Sequence, residues 1–256
     1  MIVIKLGGHA MSMEGGQEKA RWCSELAMQW RAGKRFIVVH GGGPMIESEL
    51  AFRKIESHFI DGLRVTTSEI AEVVEMVLTG TVLRSIVSTL RLAGLPAVGI
   101  SGNDGGLLEV ERVEDERLGF VGNVRHVNPE IIHALLDANF LPVISPTSRD
   151  SQGQTLNING DIAAGAIAGA VKADEMIFMT DVPGIYANWP DRSSLISEIT
   201  ANELSEMTFA SGMIPKVSAA VNSITSGARS ARIIDGKSEE GLSEALAGRG
   251  GTWVKR

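Results

Sequence analysis

Two short apolar runs that empty into glycine constrain this chain more than any other feature. Ile2-Val3-Ile4 leads through Lys5-Leu6 to Gly7-Gly8, and Phe36-Ile37-Val38-Val39-His40 opens into Gly41-Gly42-Gly43-Pro44. A continuous apolar run of this length reads as a strand buried on both faces, and such strands belong to parallel sheets covered by helices. Glycines at a strand's mouth bring bare backbone amides close to whatever lies there. Pro44 suits a first helical turn, whose positive dipole end then faces the loop. Both loops are candidate anion sites, and Lys5 adds a cation to the first. Together they point to phosphoryl chemistry on a small molecule.

The same alternation continues. Strands are expected near 2–6, 35–40, 97–101, 141–145, 175–180 and 231–234, and helices near 16–32, 44–56, 68–93, 129–138, 160–171, 201–208 and 215–228. This is an α/β pattern with a largely parallel sheet. Residues 107–124 read instead as a β-hairpin with a charged, solvated tip at Glu111–Arg117. The apolar stripe of 68–92 is wide enough to serve the core and a subunit contact. No flexible linker interrupts the chain, so any two-lobed division must share one continuous sheet.

Composition excludes several classes. The chain has 256 residues and 31 acidic against 24 basic side chains, a net charge of −7. No dense Lys/Arg block breaks that balance, which argues against nucleic acid as a partner. A single cysteine, Cys23, excludes an internal disulfide and a cysteine-based zinc cluster. No signal segment precedes the first strand, and Ile162–Val171 is too short to cross a bilayer. The expectation is a cytoplasmic protein that does not engage membranes. The five histidines lack metal-ligand spacing, and no Ser/His/Asp arrangement is evident. Neither Gly-x-Gly-x-x-Gly nor a Gly-Lys-Ser/Thr triplet occurs.

Three further segments carry candidate chemistry. Asn157-Ile158-Asn159-Gly160-Asp161 precedes a helix of small residues; Asp161 either caps that helix or holds lysine ammonium groups in place. Gly212-Met213-Ile214-Pro215-Lys216 puts a lysine at a helix start, where a cation makes sense only with an anion in front of it. Thr180-Asp181-Val182-Pro183-Gly184-Ile185-Tyr186 follows a strand, as a plain turn or as a place for a base or ribose contact.

With Asp61-Gly62-Leu63-Arg64-Val65-Thr66 and Ser101-Gly102-Asn103-Asp104-Gly105-Gly106, these elements in this order resemble the amino-acid kinase family over essentially the whole chain. The Gly-Leu-Arg-Val-Thr and Asn-x-Asn-x-Asp segments resemble the branch that phosphorylates N-acetyl-L-glutamate in arginine biosynthesis. The resemblance implies a three-layer αβα sandwich, with an amino-acid lobe over about 1–172 and a nucleotide lobe over about 173–256, sharing one sheet. It implies ATP, carrying Mg²⁺, as phosphoryl donor. Lys5 and Lys216 match the lysines that stabilise the transferring group, and Asp161 the aspartate that orients both. Gly8, Gly42 and Gly43 match loop positions that touch the phosphoryl group or the acceptor. Arg64 and Asn157 match residues that hold the acceptor. Thr180, Asp181, Gly184, Tyr186, Gly212 and Met213 fall at nucleotide contacts. Gly160 stands where alanine is usual. The chain starts at its first strand, without the N-terminal helix of arginine-inhibited hexamers, so an arginine-insensitive homodimer is expected. The alternative is a sister kinase acting on a carrier-linked aminoadipate or glutamate.

Overall fold

The structure, a computed structural model, describes residues 1–7, 18–209 (18–21 through their backbone), 213–238 and 240–256. Its elements begin with β1 (Ile2–Leu6), α1 (Glu18–Arg31), β2 (Phe36–His40), α2 (Gly43–Phe52), the short strands β3 (Phe59–Ile60) and β4 (Leu63–Arg64), and α3 (Ser68–Glu75). A π-helical segment, Met76–Val82, carries α3 into α4 (Leu83–Leu92). Then come β5 (Ala97–Ser101), β6 (Leu108–Arg112), β7 (Val121–Val127), α5 (Glu130–Asp137), β8 (Leu141–Ser145), β9 (Thr147–Arg149), β10 (Thr155–Ile158) and α6 (Gly160–Ala170). The last third holds β11 (Glu175–Thr180), β12 (Glu198–Thr200), α7 (Ala201–Glu206), α8 (Ile214–Thr225), β13 (Ser230–Asp235), α9 (Gly241–Leu246) and β14 (Thr252–Lys255).

Among the described residues, eight strands form one sheet in the order β12-β14-β13-β11-β1-β2-β8-β5. The six runs read from the sequence are its parallel body; β14 pairs antiparallel with β13, and β12 follows β14. β1 lies between β2 and β11, with Lys5 opposite Val39 on one side and Phe178 on the other. The sheet therefore extends from β1 in both directions. The carboxyl ends of β1, β2 and β11 border a topological switch point, where open α/β sheets form a ligand crevice.

Side chains alternate between the two faces of each strand. Val3, Val39 and Phe178 pack under α6 and α8 with Ala163, Ile167, Val217 and Ala220. Ile4, Leu6, Phe36 and Val38 pack on the other face with Leu26 of α1, Leu50 of α2, Leu78 and Leu83. These are the helix, sheet and helix layers of the αβα arrangement. α6 and α8 approach closely because their facing positions are small. A Cβ on Gly165 would lie 2.6 Å from the carbonyl oxygen of Ala219, and one on Gly169 would lie 2.5 Å from Ser226 Cβ.

The structure adds detail where local pattern is weak. The hairpin expected over 107–124 is β6 and β7, which continue through β10 and β9 into a second, four-stranded sheet. The helix expected over 68–93 is unbroken but changes type. Thr79 Oγ1 donates to the Glu75 carbonyl at 2.5 Å, with Gly80 beside it, and the coil widens to π over Met76–Val82. Such back-bonding by a hydroxyl competes with the regular ladder. The helix expected over 44–56 ends at Phe52, and Lys54 turns to a positive φ of 59°.

Candidate active site

Lys5 follows Val3 by two residues, so the alternation of β1 turns it to the α6/α8 face. There it is nearly buried, and its Nζ lies 2.8 Å from Asp161 Oδ1. Oδ1 receives no aligned hydrogen bond among the described residues, so charge at close range holds this contact. Lys216, in the first turn of α8, donates to the other oxygen, Oδ2, at 3.3 Å. Asp161 is 3% exposed in the first turn of α6, where a carboxylate is favoured by the helix dipole. Burial would raise its pKa, but the ammonium groups of Lys5 and Lys216 more than offset this and hold it below its ordinary value. One carboxylate between two cations leaves a net positive charge facing the crevice. Asp161 is not the cap of α6: Asn159 Oδ1 takes that role, accepting from the amides of Asp161 at 2.8 Å and Ile162 at 3.2 Å.

The second glycine loop lies beside this cluster. Gly41 donates its amide to Leu6 O at 2.9 Å, which brings the end of β2 against the end of β1. Gly42 is the extended N-cap of α2 and packs against Leu78 and Val82, where a side chain would collide. Gly43 has open space where its Cβ would be. Gly160 lets the start of α6 nestle into the loop: a Cβ there would lie 3.3 Å from His40 O and 3.5 Å from Lys5 Cε. The alanine usual at this position would fit only with a small shift.

Gly42, Gly43, Arg64, Asn157 and Asn159 share a cavity of about 140 Å³ with the apolar side chains Ile46, Phe59, Leu63, Leu78 and Ile158. Arg64 Nη1 donates to Glu47 Oε1 and Ser57 Oγ, both at 2.5 Å, and the guanidinium stacks 4.7 Å above the Phe59 ring. Asn157 Nδ2 donates to Thr66 Oγ1 at 3.1 Å.

On the other flank of β1, Thr180 ends β11 and its hydroxyl both accepts from Val182 N and donates to Val182 O, each at 3.1 Å. Asp181 is exposed. Gly184 is buried against Thr252, whose Oγ1 would meet a Cβ at 2.5 Å, so internal packing accounts for this glycine. Tyr186 makes an edge contact with Trp189 at 5.3 Å. Met213 precedes α8 as its N-cap. None of these five touches Lys5, Asp161 or Lys216 by a hydrogen bond or ion pair. Gly8 and Gly212 lie outside the described residues. Glu47, Ser57 and Phe59 surround the site without having been singled out, and Thr66 and Asn159 do so from within quoted motifs in which neither had a role of its own. Only Asn159 carried a local signal, a cap residue just before a helix. Among the described residues, no group of three or more His, Cys, Asp or Glu side chains is arranged to hold a metal.

A parallel sheet whose switch point gathers two lysines, a shared aspartate and a glycine loop defines a class of phosphoryl-transfer folds. The amino acid kinase family model matches residues 1–235, and the chain belongs to that family. An acetylglutamate kinase from Archaeoglobus fulgidus is 45% identical over 250 residues, covering 92% of this chain and 85% of the relative. One from an Arthrobacter species is also 45% identical, covering 92% and 80%. Among solved structures, N-acetylglutamate synthase from Neisseria gonorrhoeae matches the fold with a TM-score of 0.85 at 21% identity. That match covers all of this chain and 59% of the synthase.

Proposed function

We propose that this chain phosphorylates the side-chain carboxylate of N-acetyl-L-glutamate from ATP, giving an acyl phosphate. The observation that carries the reading is the Lys5–Asp161–Lys216 cluster at the switch point, net positive and beside glycine amides. The relatives named acetylglutamate kinase support the acceptor.

The acceptor carboxylate is ionised at neutral pH and needs no general base. Its oxygen bonds to the γ-phosphorus as the bond to the β,γ-bridging oxygen breaks, and ADP leaves with that electron pair. The obstacle is charge, because an anion must approach a triphosphate. A loose transition state spreads negative charge over the equatorial and apical oxygens, so fixed cations and amides give most of the stabilisation. Lys5 faces the moving phosphoryl group and Lys216 the leaving phosphates; Asp161 keeps the two ammoniums from splaying. Mg²⁺, part of the nucleotide substrate, neutralises phosphate charge when bound.

Gly42 and Gly43 serve the transferring group from the loop. Arg64 and Asn157 hold the acceptor, with Glu47 and Ser57 fixing the guanidinium from behind. Thr180, Asp181, Gly184, Tyr186 and Met213, with Gly8 and Gly212, serve the nucleotide. The cavity residues fall within 41–160, which supports an acceptor lobe over about 1–172 and a nucleotide lobe over about 173–256. A homodimer through the 68–92 helix and the exposed Phe52, Met76 and Leu92 belongs to the same proposal, and light scattering tests it. No helix among the described residues is long and apolar enough to cross a membrane.

The test is ATP-dependent acyl phosphate formation, trapped with hydroxylamine, from a panel of acidic amino acids and a carrier-linked glutamate. Free N-acetylglutamate should give the strongest signal. Product from the carrier-linked substrate alone would replace this reading with the sister kinase, and no product at all would end it.

A further inference from the structure

His40 stands at the head of the glycine loop without a task in the reaction above. It ends β2, is fully buried, and its Nδ1 lies 2.7 Å from the carbonyl oxygen of Gly41. A carbonyl oxygen only accepts, so Nδ1 carries the ring proton and Nε2 presents a bare lone pair. Nε2 has no partner among the described residues. The alternation Phe36, Val38, His40 assigns the ring to the apolar face of the sheet, where a charged imidazole is disfavoured.

The consequence runs through one peptide plane. The Gly41 amide is taken by Leu6 O at 2.9 Å and the Gly41 carbonyl by His40. A trans peptide points its C=O and the following N–H in opposite directions. Fixing the Gly41 carbonyl therefore fixes the direction of the Gly42 N–H, which has no acceptor among the described residues. Between two glycines such a peptide would otherwise turn over at little steric cost.

We infer that His40, as a neutral Nδ1–H imidazole, is a positioning residue: it locks the Gly41–Gly42 peptide so that the Gly42 N–H faces the transferring phosphoryl group. The inference rests on the kinase reading of the loop.

Two measurements test it. In the intact wild-type chain at pH 7, ¹⁵N-histidine NMR should give His40 a protonated Nδ1 and a bare Nε2; an Nε2–H tautomer or an imidazolium overturns the lock. Three variants then separate the hydrogen bond from volume. Asparagine places an amide nitrogen near Nδ1, glutamine places one near Nε2, and leucine fills space alone. His40→Asn should keep kcat within about tenfold of wild type. His40→Gln and His40→Leu should lose on the order of 10²–10³-fold in kcat, the scale of one misaimed stabilising donor, with a smaller change in acceptor KM. Wild-type turnover in the glutamine or leucine variant, or an asparagine variant as poor as they are, overturns the inference. Should the variants fail to fold, the tautomer still decides. An inactive wild type that nevertheless shows the Nδ1–H tautomer would sink the kinase reading and leave the peptide lock standing.

Discussion

Asn157 donates its side-chain amide to Thr66 Oγ1 at 3.1 Å, and that same hydroxyl donates onward to the carbonyl of Arg64 at 2.8 Å. With its proton committed to Arg64, the hydroxyl can only accept from Asn157, which settles which end of the amide faces Thr66. The backbone repeats the link: Phe120 N donates to Thr66 O at 2.7 Å, and Asn157 N to Phe120 O at 2.9 Å. One buried threonine thus ties together the two residues proposed to hold the acceptor. Thr66→Val removes the hydroxyl at nearly constant size and should raise the acceptor KM about tenfold, the cost of one lost hydrogen bond. ATP KM should be unchanged, and Thr66→Ser should recover most of the loss. Steady-state kinetics with each substrate varied reads this; a valine variant with wild-type acceptor KM would detach Asn157 from Thr66.

Asp161 is flanked by two ammoniums, so Asp161→Asn leaves two like charges without their shared partner. Breaking a buried ion pair from one side costs on the order of 3–5 kcal/mol. The lower end is expected, because Lys216 keeps 21% of its side chain in solvent. Turnover should fall with stability. Lys5→Ala should instead lower kcat on the order of 10²–10³-fold. Denaturant unfolding alongside kcat distinguishes them, and near-normal turnover in Lys5→Ala would remove that lysine from the phosphoryl site.

Acid stability follows from two groups with separate windows. Burial, opposed by the Gly41 contact and aided by the charge of Lys5, pushes His40 down to about 4, below the 6.5 of a free imidazole. The unfolded chain therefore takes up this proton first. The contribution of His40 is complete above pH 6.5 and is lost as pH falls toward 4, about 3 kcal/mol in all. Asp161 is also depressed, so its contribution is present above its ordinary 3.8 and lost only as pH falls further. Wild-type unfolding free energy should decline between pH 6.5 and 4, with that limb flattened in His40→Leu. Parallel pH curves for the two proteins would show that another group carries the effect.

What the sequence revealed divides by the range of the forces involved. The six parallel strands were legible because each is a run buried on both faces, and burial on both faces leaves an unbroken apolar pattern. Strands β10 and β14 were not. Thr155–Ile158 and Thr252–Lys255 are short and mixed, and each lies between two partners of which one is distant in the chain, β7 for β10 and β12 for β14. Lys5, Asp161 and Lys216 were flagged separately by their neighbours, glycine or proline at an element's end. Their convergence depends on sheet order, which no local pattern encodes. Glu47 and Ser57 carried no local signal, and Thr66 stood in its motif without a role, for the same reason: each acts through a residue brought to it by tertiary packing. Whether Asp161 caps α6 or holds lysine ammonium groups stayed open because aspartate is a good capping residue, and only two lysines distant in the chain draw it away and leave the cap to Asn159.

The spacing of α6 and α8 gives the last prediction. Asp161 and Lys216 stand on different helices, and their 3.3 Å contact bridges a helix pair whose spacing is set close where Gly165 meets the backbone of Ala219. Gly165→Ala would press a methyl against the Ala219 carbonyl, which cannot rotate away, so the helices must separate. Overpacking of this kind costs about 1–3 kcal/mol. Because Gly165 is about one turn from Asp161, the shift should loosen Lys216 from Asp161 and lower kcat, while Lys5, carried by the sheet, keeps its partner. Gly169→Ala makes the same kind of clash against Ser226 one further turn away. It should cost comparable stability with a smaller loss of kcat, and Gly169→Ala with Ser226→Gly should regain the stability. Urea unfolding and kcat of the single variants decide the matter. Equal destabilisation with equal kcat in both would mean that Lys216 follows Asp161 through its own flexible chain and that helix spacing does not set the pair.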